Sequence, residues 1–100
     1  EKSFKNLRSY SPLHNIQTGI DYPAVLVTTA DTDDRVVPAH SLKYLATLQA
    51  AQIGHKPRFL RVEQDAGHGD GSPTEKIIEE YADRWSFAAH WTGLQVAALP

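Results

Sequence analysis

The sequence predicts an α/β fold in which parallel strands are flanked by helices. Two strand-like segments, a helical pattern between them and a second helical pattern after the later strand support this prediction. A strand, a helix and another strand in that order form a parallel pair joined by a helical crossover. The segments that carry these patterns are residues 24–30, 38–51, 57–63 and 72–93.

The composition is that of one small globular domain. The chain has 100 residues, of which 41% are hydrophobic, and its formal net charge is −2. These values argue against disorder and give no reason to expect nucleic acid or an acidic membrane surface as a partner. No apolar run approaches the ~20 residues of a membrane span. The chain has no cysteine, which excludes disulfides, thiolate metal sites and a cysteine nucleophile. It begins with Glu1 rather than Met, and we expect it to be a piece of a longer protein.

The chain before the first strand contains the end of a helix and two breaks. Residues 4–10 weakly indicate the helix end. Pro12 disfavours helical backbone at Ser11, so residues 11–15 predict a turn, and residues 21–23 form the second break.

The first strand is predicted at residues 24–30, which are nearly all apolar and rich in β-branched side chains. A run without polar alternation is typical of a strand buried on both faces. Pro38 then fits the first position of a helix, and Gly54 fits the position just past its end. Apolar residues at three-residue steps predict its buried face: Leu42, Leu45, Leu48 and Ala51.

The second strand is predicted at residues 57–63, where side chains alternate between two faces and one face is expected to be better buried. Arg58, Leu60 and Val62 lie on one face, and Phe59, Arg61 and Glu63 lie on the other. A glycine-rich loop follows at residues 65–71.

The last helix is predicted to begin with a capping box. Ser72 would be the N-cap, Pro73 the first helical residue and Glu75 the third, and Gly93 would end the helix. Aromatic residues on this helix predict packing in the core or against a part of the fold outside these residues: Tyr81, Trp85, Phe87 and Trp91.

Polar side chains follow both predicted strands. Residues 31–35 include three aspartates after the first strand, and His68 lies in the loop after the second. Because ligands of open α/β sheets bind outside the carboxyl ends of the strands, we expect a carboxylate and the imidazole to meet there. The carboxylate would hold one tautomer of His68 and stabilise its protonated form during general-base catalysis. The order acid then base is also that of α/β-hydrolases, in which a nucleophile precedes both.

Simpler interpretations exist for each of these residues. A histidine between glycines is often only a solvated loop residue, and an aspartate after a strand is often only a turn former or a helix cap. Four further histidines lack the mutual spacing of a metal site and are expected at the surface or in caps: His14, His40, His55 and His90.

Four segments carry a more specific signal: residues 10–15 (YSPLHN), 29–38 (TADTDDRVVP), 40–43 (HSLK) and 66–69 (AGHG). Together they resemble the C-terminal part of the catalytic domain in the prolyl oligopeptidase family of serine peptidases. The resemblance extends from about Phe4 to Leu94, and DDRVVP and AGHG are its most specific parts.

This resemblance implies the C-terminal portion of an α/β-hydrolase fold, a β-propeller that restricts substrates to peptides, and cleavage on the carboxyl side of proline. It implies that Asp33 is the triad acid and His68 the triad base. It further implies that Arg35 hydrogen-bonds the bound peptide and that Val36 lines the proline pocket, whereas Asp34 has no triad role. No metal and no organic cofactor is implied.

The family's nucleophilic serine lies in a glycine-rich elbow before these segments, and no serine of this chain has the context Gly-x-Ser-x-Gly. We therefore expect residues 1–100 to be a C-terminal fragment that supplies the acid and the base and is inactive alone. Its expected partners are the remainder of the same enzyme, with the nucleophile segment and the propeller, and a proline-containing peptide substrate.

Two other functions remain open from the sequence. The first is a non-catalytic α/β-hydrolase-like module that only binds a partner, which the missing nucleophile favours. The second is a magnesium-dependent phosphatase of the haloacid dehalogenase type, because a buried strand that ends in Asp31-x-Asp33 resembles the first motif of that class.

Overall fold

A computed structural model of the protein describes residues 1–69, 72–95 and 97. Asp70 and Gly71 of the predicted glycine-rich loop lie outside the described residues. The elements in chain order are α1 (Lys2–Tyr10), a short 3-10 helix (Pro12–Asn15), β1 (Val25–Ala30), α2 (Pro38–Ala50), β2 (Arg58–Glu63) and α3 (Thr74–Thr92). None of the described helices is long and apolar enough to cross a membrane.

The two strands form a parallel pair, as predicted from the order of the elements. The register places Val25 opposite Arg58 and Ala30 opposite Glu63, so both strands end at the same level. The loops that follow β1 and β2 therefore leave the same edge of the sheet side by side.

The core lies between α2 and this sheet. Pro38 begins α2 as predicted, and Leu45 and Leu48 of its apolar stripe are buried. Leu48 and Ile53 are the largest fully buried side chains among the described residues. Leu42, at the other end of the stripe, is exposed because no described residue covers it, so the predicted buried face is only partly correct.

Gly54 does not end α2, which is a correction to the sequence analysis. The helix stops at Ala50, and Ala51 already has an extended backbone. Gly54 instead has a φ of +93°. Glycine is therefore favoured here because residues with a Cβ atom rarely adopt this left-handed conformation.

The prediction of one better-buried face for β2 is wrong. Val62 and Phe59, which lie on opposite faces, are both exposed, whereas Arg61 and Glu63 are half-buried. The reason is an ion pair between these two residues, 2.7 Å from Arg61 Nη1 to Glu63 Oε2. A second bond of 2.7 Å from Arg61 Nε to Asp83 of α3 covers this part of the strand further.

The capping box at the start of α3 is wrong by one residue. Pro73 is itself the N-cap, with φ −55° and ψ 145°, and no side chain caps the helix. Its carbonyl accepts the first helical bond from the N–H of Ile77 (3.2 Å). The other end is as predicted, because Gly93 adopts φ +71° and the N–H of Leu94 donates to the carbonyl of Ala89.

The apolar face of α3 is uncovered over most of its length. Phe87 packs edge-on against Phe59 of β2, with ring centroids 6.2 Å apart. Trp85 is 68% exposed, and no described residue of α3 is buried. The predicted core packing is therefore found only in part among the described residues: Phe87 is half-buried, whereas Tyr81, Trp85 and Trp91 are exposed.

Candidate active site

The candidate site lies where the two parallel strands end. The N–H of Asp31 donates to the carbonyl of Glu63 (3.0 Å), which continues the strand pairing one residue beyond β1. This pairing brings the segment after β1 against the His68 loop, which we define as residues 64–69.

The Asp33 carboxylate uses both of its oxygens. Oδ1 accepts the backbone N–H groups of Arg35 (3.0 Å) and Val36 (2.8 Å), which folds the side chain back over its own turn. Oδ2 lies 2.7 Å from Nδ1 of His68. The Asp33 side chain is only 8% exposed, so water has little access to its carboxylate.

Hydrogen bonds keep the Asp33 carboxyl ionised. They hold its pKa below the ordinary value of 3.8; the largest cause is the N–H of Val36, followed by His68 and the N–H of Arg35, and burial opposes them. An ionised carboxylate can only accept, so Nδ1 of His68 must donate to it. In the neutral ring the lone pair then lies on Nε2, the nitrogen that a general base uses.

The His68 ring is presented at the tip of a glycine-flanked turn. Gly69 has a φ of +100°, and its N–H donates to the carbonyl of Gly67 (2.8 Å). The ring is 38% exposed and lines a cavity of about 290 Å³ together with Asp33 and Ser72. Larger cavities lie elsewhere among the described residues, and neither Asp33 nor His68 lines them.

The other predicted site residues lie on the same turn. The backbone N–H groups of Arg35 and Val36 fix Asp33, while both residues are exposed. Asp34 is exposed as well, and the carboxylate that meets His68 is that of Asp33. The structure thus brings Asp33, His68, Arg35 and Val36 together at the carboxyl ends of the two strands.

Sequence reasoning missed a role for the first two residues of this segment. Asp31 and Thr32 both hydrogen-bond the backbone of the His68 loop. Their signal in the sequence is weak, since a carboxylate and a hydroxyl after a strand are common in turns. The parallel register is what places them against the loop.

Of the remaining histidines, His14 has a local role. Its Nδ1 lies 2.8 Å from Oγ of Ser11 across the 3-10 helix, and the residue is exposed, which agrees with the surface position expected for it. His90 packs edge-on against Trp91, with ring centroids 5.0 Å apart.

Comparison with known proteins gives a consistent match. The model of the prolyl oligopeptidase family of peptidases matches residues 1–95. A prolyl endopeptidase from Elizabethkingia miricola is 48% identical over 95 residues, which cover 95% of this chain and 14% of that protein. Prolyl oligopeptidase A from Amanita bisporigera is 48% identical over 94 residues, which cover 93% of this chain and 12% of that protein.

The fold is also found in a solved structure from a study of two prolyl endopeptidases. That structure is 51% identical to this chain and superposes with a TM-score of 0.85, covering all of this chain and 14% of the solved one. The α/β-hydrolase prediction is thereby confirmed. The chain spans about one seventh of the length of the relatives that it matches.

Proposed function

Because this chain belongs to the prolyl oligopeptidase family of peptidases, we propose that it is the C-terminal segment of a serine peptidase that cleaves peptides on the carboxyl side of proline. The observation that carries the proposal is the 2.7 Å contact between Asp33 and His68 at the ends of two parallel strands. Membership of this family excludes the phosphatase alternative that uses Asp31 and Asp33.

In this proposal His68 is the general base and Asp33 orients it. Nε2 takes the proton of the serine hydroxyl as its oxygen attacks the prolyl carbonyl, and the ring becomes positively charged. The ionised Asp33 stabilises that charge through Nδ1. His68 then gives the proton to the leaving amine, and the same two transfers occur when water releases the acyl group. Each step uses side chains alone, so the proposal includes no cofactor.

The nucleophile comes from outside these 100 residues. No serine of the chain lies in a Gly-x-Ser-x-Gly elbow, and the chain corresponds to about one seventh of its relatives' length. We place the serine elbow and the β-propeller in the remainder of the same enzyme.

Arg35 and Val36 are proposed to bind the substrate. Both residues are exposed next to the triad acid, and their backbone N–H groups are already bonded to it. The Arg35 guanidinium is then available to hydrogen-bond a carbonyl of the peptide upstream of proline. Val36 offers an apolar surface for the proline ring.

The test is an activity assay of three proteins: the wild-type full-length enzyme, its His68→Ala variant and the 100-residue chain alone. The substrates are two reporter peptides that differ only in having proline or alanine before the cleaved bond. We expect the wild-type enzyme to cleave the prolyl peptide, His68→Ala to lose nearly all turnover, and the 100-residue chain to be inactive.

His14→Ala is the matched control, because His14 is bonded locally to Ser11 and does not line the cavity beside Asp33. Equal losses in His14→Ala and His68→Ala would contradict the assignment of the base. A wild-type enzyme that binds prolyl peptides without cleaving them would instead support the non-catalytic module. Turnover by the 100-residue chain that survives repurification would show that the nucleophile lies within it.

A further inference from the structure

The carboxylate of Asp31 is directed at the backbone of the His68 loop. Its Oδ2 accepts the N–H of Asp65 (3.0 Å) and its Oδ1 accepts the N–H of Ala66 (3.3 Å). These bonds hold the pKa of Asp31 below its ordinary value, the N–H of Asp65 contributing most and that of Ala66 next. Asp31 is therefore an ionised acceptor that binds two successive backbone N–H groups of the loop.

Thr32 binds the same loop from the next position. Its hydroxyl donates to the carbonyl of Ala66 (2.7 Å), and its backbone N–H donates to the same carbonyl (3.2 Å). Ala66 is itself buried. Both polar backbone groups of Ala66, two residues before His68, are thus bonded to the end of β1.

The backbone of the loop has an unusual conformation at Asp65, the residue whose N–H group Asp31 binds. Asp65 has a φ of +51° and is the single non-glycine residue with positive φ in the described ranges 1–69, 72–95 and 97. A left-handed conformation is unfavourable for residues with a Cβ atom, although aspartate tolerates it better than most. Asp31 binds the N–H of this residue and so stabilises the turn that aims His68 at Asp33.

We propose that Asp31 and Thr32 are positioning residues that clamp the His68 loop to the end of β1 and so hold the general base at its distance from the triad acid. This inference rests on the proposed function and deepens it. The segment after β1 then has two tasks, because Asp33 contacts the imidazole ring while Asp31 and Thr32 hold the backbone that carries the ring. Asp31 and Thr32 hydrogen-bond the loop backbone and not the ring, so their effect on the reaction passes through the loop.

The test uses four variants of the full-length enzyme: Asp31→Ala, Asp31→Asn, Thr32→Val and Thr32→Ser. Turnover is expressed per active site, titrated with a serine-directed organophosphate, so that misfolded protein does not count. We expect Asp31→Ala to lower kcat by about 10- to 100-fold with KM within about twofold, since misplacement of a catalytic group by about 1 Å has effects of this order. Asp31→Asn should lose less, because its amide oxygen still accepts one N–H.

The threonine pair separates positioning from general destabilisation. Thr32→Val keeps the shape but removes the hydroxyl, and Thr32→Ser restores it. We expect a reduced kcat for Thr32→Val and a kcat within about twofold of wild type for Thr32→Ser. A kcat near wild type in both Asp31→Ala and Thr32→Val would overturn the proposal, as would an equal loss in Thr32→Ser and Thr32→Val.

Amide hydrogen exchange of peptides within residues 59–69 gives a readout that does not depend on catalysis. The clamp predicts faster exchange at Asp65 and Ala66 in Asp31→Ala, because both N–H groups lose their acceptor. If the wild-type enzyme does not cleave the prolyl peptide, the proposed function fails. Faster amide exchange in Asp31→Ala would still support the proposal that Asp31 holds the loop, and unchanged exchange would overturn it.

Discussion

Asp33 shows how a single residue can be fixed by its own turn before it meets its partner. The N–H groups of Arg35 and Val36 hold Oδ1, so Oδ2 is aimed at His68 without a further side chain. Because the folded pKa lies below the ordinary 3.8, the stability that ionised Asp33 contributes is fully present above that value. It is lost only as the pH falls through the lower folded pKa. Asp33 therefore stays an acceptor throughout the neutral range.

The first prediction at this scale distinguishes the two neighbouring aspartates. In the full-length enzyme Asp33→Asn should lower kcat strongly, because an amide can donate to Nδ1 and favours the wrong imidazole tautomer. The corresponding change in trypsin lowers turnover by about 10⁴-fold, and we expect a loss of that order. Asp34→Asn should change kcat little, since Asp34 is exposed and Oδ2 of Asp33 is the atom that meets His68. Steady-state kinetics measure both, and a larger loss for Asp34→Asn would reverse the assignment.

The second prediction concerns Arg35. Arg35→Ala removes the guanidinium but keeps the backbone N–H that bonds Asp33, so the geometry of the acid and the base should survive. We expect KM for the prolyl peptide to rise and kcat to change less, because a hydrogen bond of equal strength in the ground and transition states contributes uniform binding. A loss confined to kcat would show instead that Arg35 acts on the chemical step.

At the scale of elements, α3 is anchored to the sheet through Arg61. Its guanidinium bonds Glu63 on its own strand and Asp83 on the helix, each at 2.7 Å. The pKa of Arg61 is raised, most of all by the bond to Asp83, so the cation is present at every ordinary pH. Lys76, in the first turns of α3, also donates to the carbonyl of Gln64 at the start of the His68 loop. The helix therefore contacts both β2 and the loop that carries His68.

The third prediction tests this anchor. Arg61→Met leaves the half-buried Glu63 carboxylate without its close partner, and loss of one member of a partly buried pair is costly. We expect the thermal unfolding midpoint of the full-length enzyme to fall by several degrees. Arg84→Met is the matched control, because Arg84 pairs with Glu80 along one exposed helix face, and such pairs contribute at most about 0.5 kcal/mol. Equal shifts in the two variants would show that Arg61 does not anchor α3.

The whole molecule is more extended than a self-sufficient domain. Its radius of gyration is 16.4 Å, whereas a compact chain of this length has about 13 Å. Its accessible surface is 7853 Å², and a folded monomer of 11.1 kDa has roughly 5,700 Å². The difference of about 2,200 Å² is as large as a stable protein interface. Large apolar side chains are exposed on α1, β2 and α3: Phe4, Leu7, Phe59, Ile78, Tyr81 and Trp85.

The fourth prediction follows for the 100-residue chain in isolation. We expect it to associate or to unfold without a cooperative transition, because the free edge of β1 and the uncovered face of α3 have no partner among the described residues. Light scattering after size exclusion and thermal circular dichroism provide the measurement. A monodisperse monomer with a single cooperative transition would contradict the prediction.

Local sequence patterns predict the elements and the positions of polar residues relative to them. Local backbone and burial preferences make three features predictable: the strand from the apolar run at residues 24–30, the helix start from Pro38 and the helix end from Gly93. The errors at Ser72 and Gly54 concern the ends of helices. They are local as well, because moving a helix end by one to three residues keeps the same capping residues near it.

Which side chains meet depends on how the strands pair in three dimensions. Composition and periodicity do not distinguish Asp31, Asp33 and Asp34, and the choice of Asp33 as acid came from the family resemblance. In the structure Asp33 contacts His68, 35 residues away, while Asp31 grips the loop backbone. The physical reason is the register that sets Ala30 opposite Glu63, since it fixes which loop atoms face each aspartate. Contacts of this separation depend on how the two strands align, and the residues around the three aspartates do not encode that alignment.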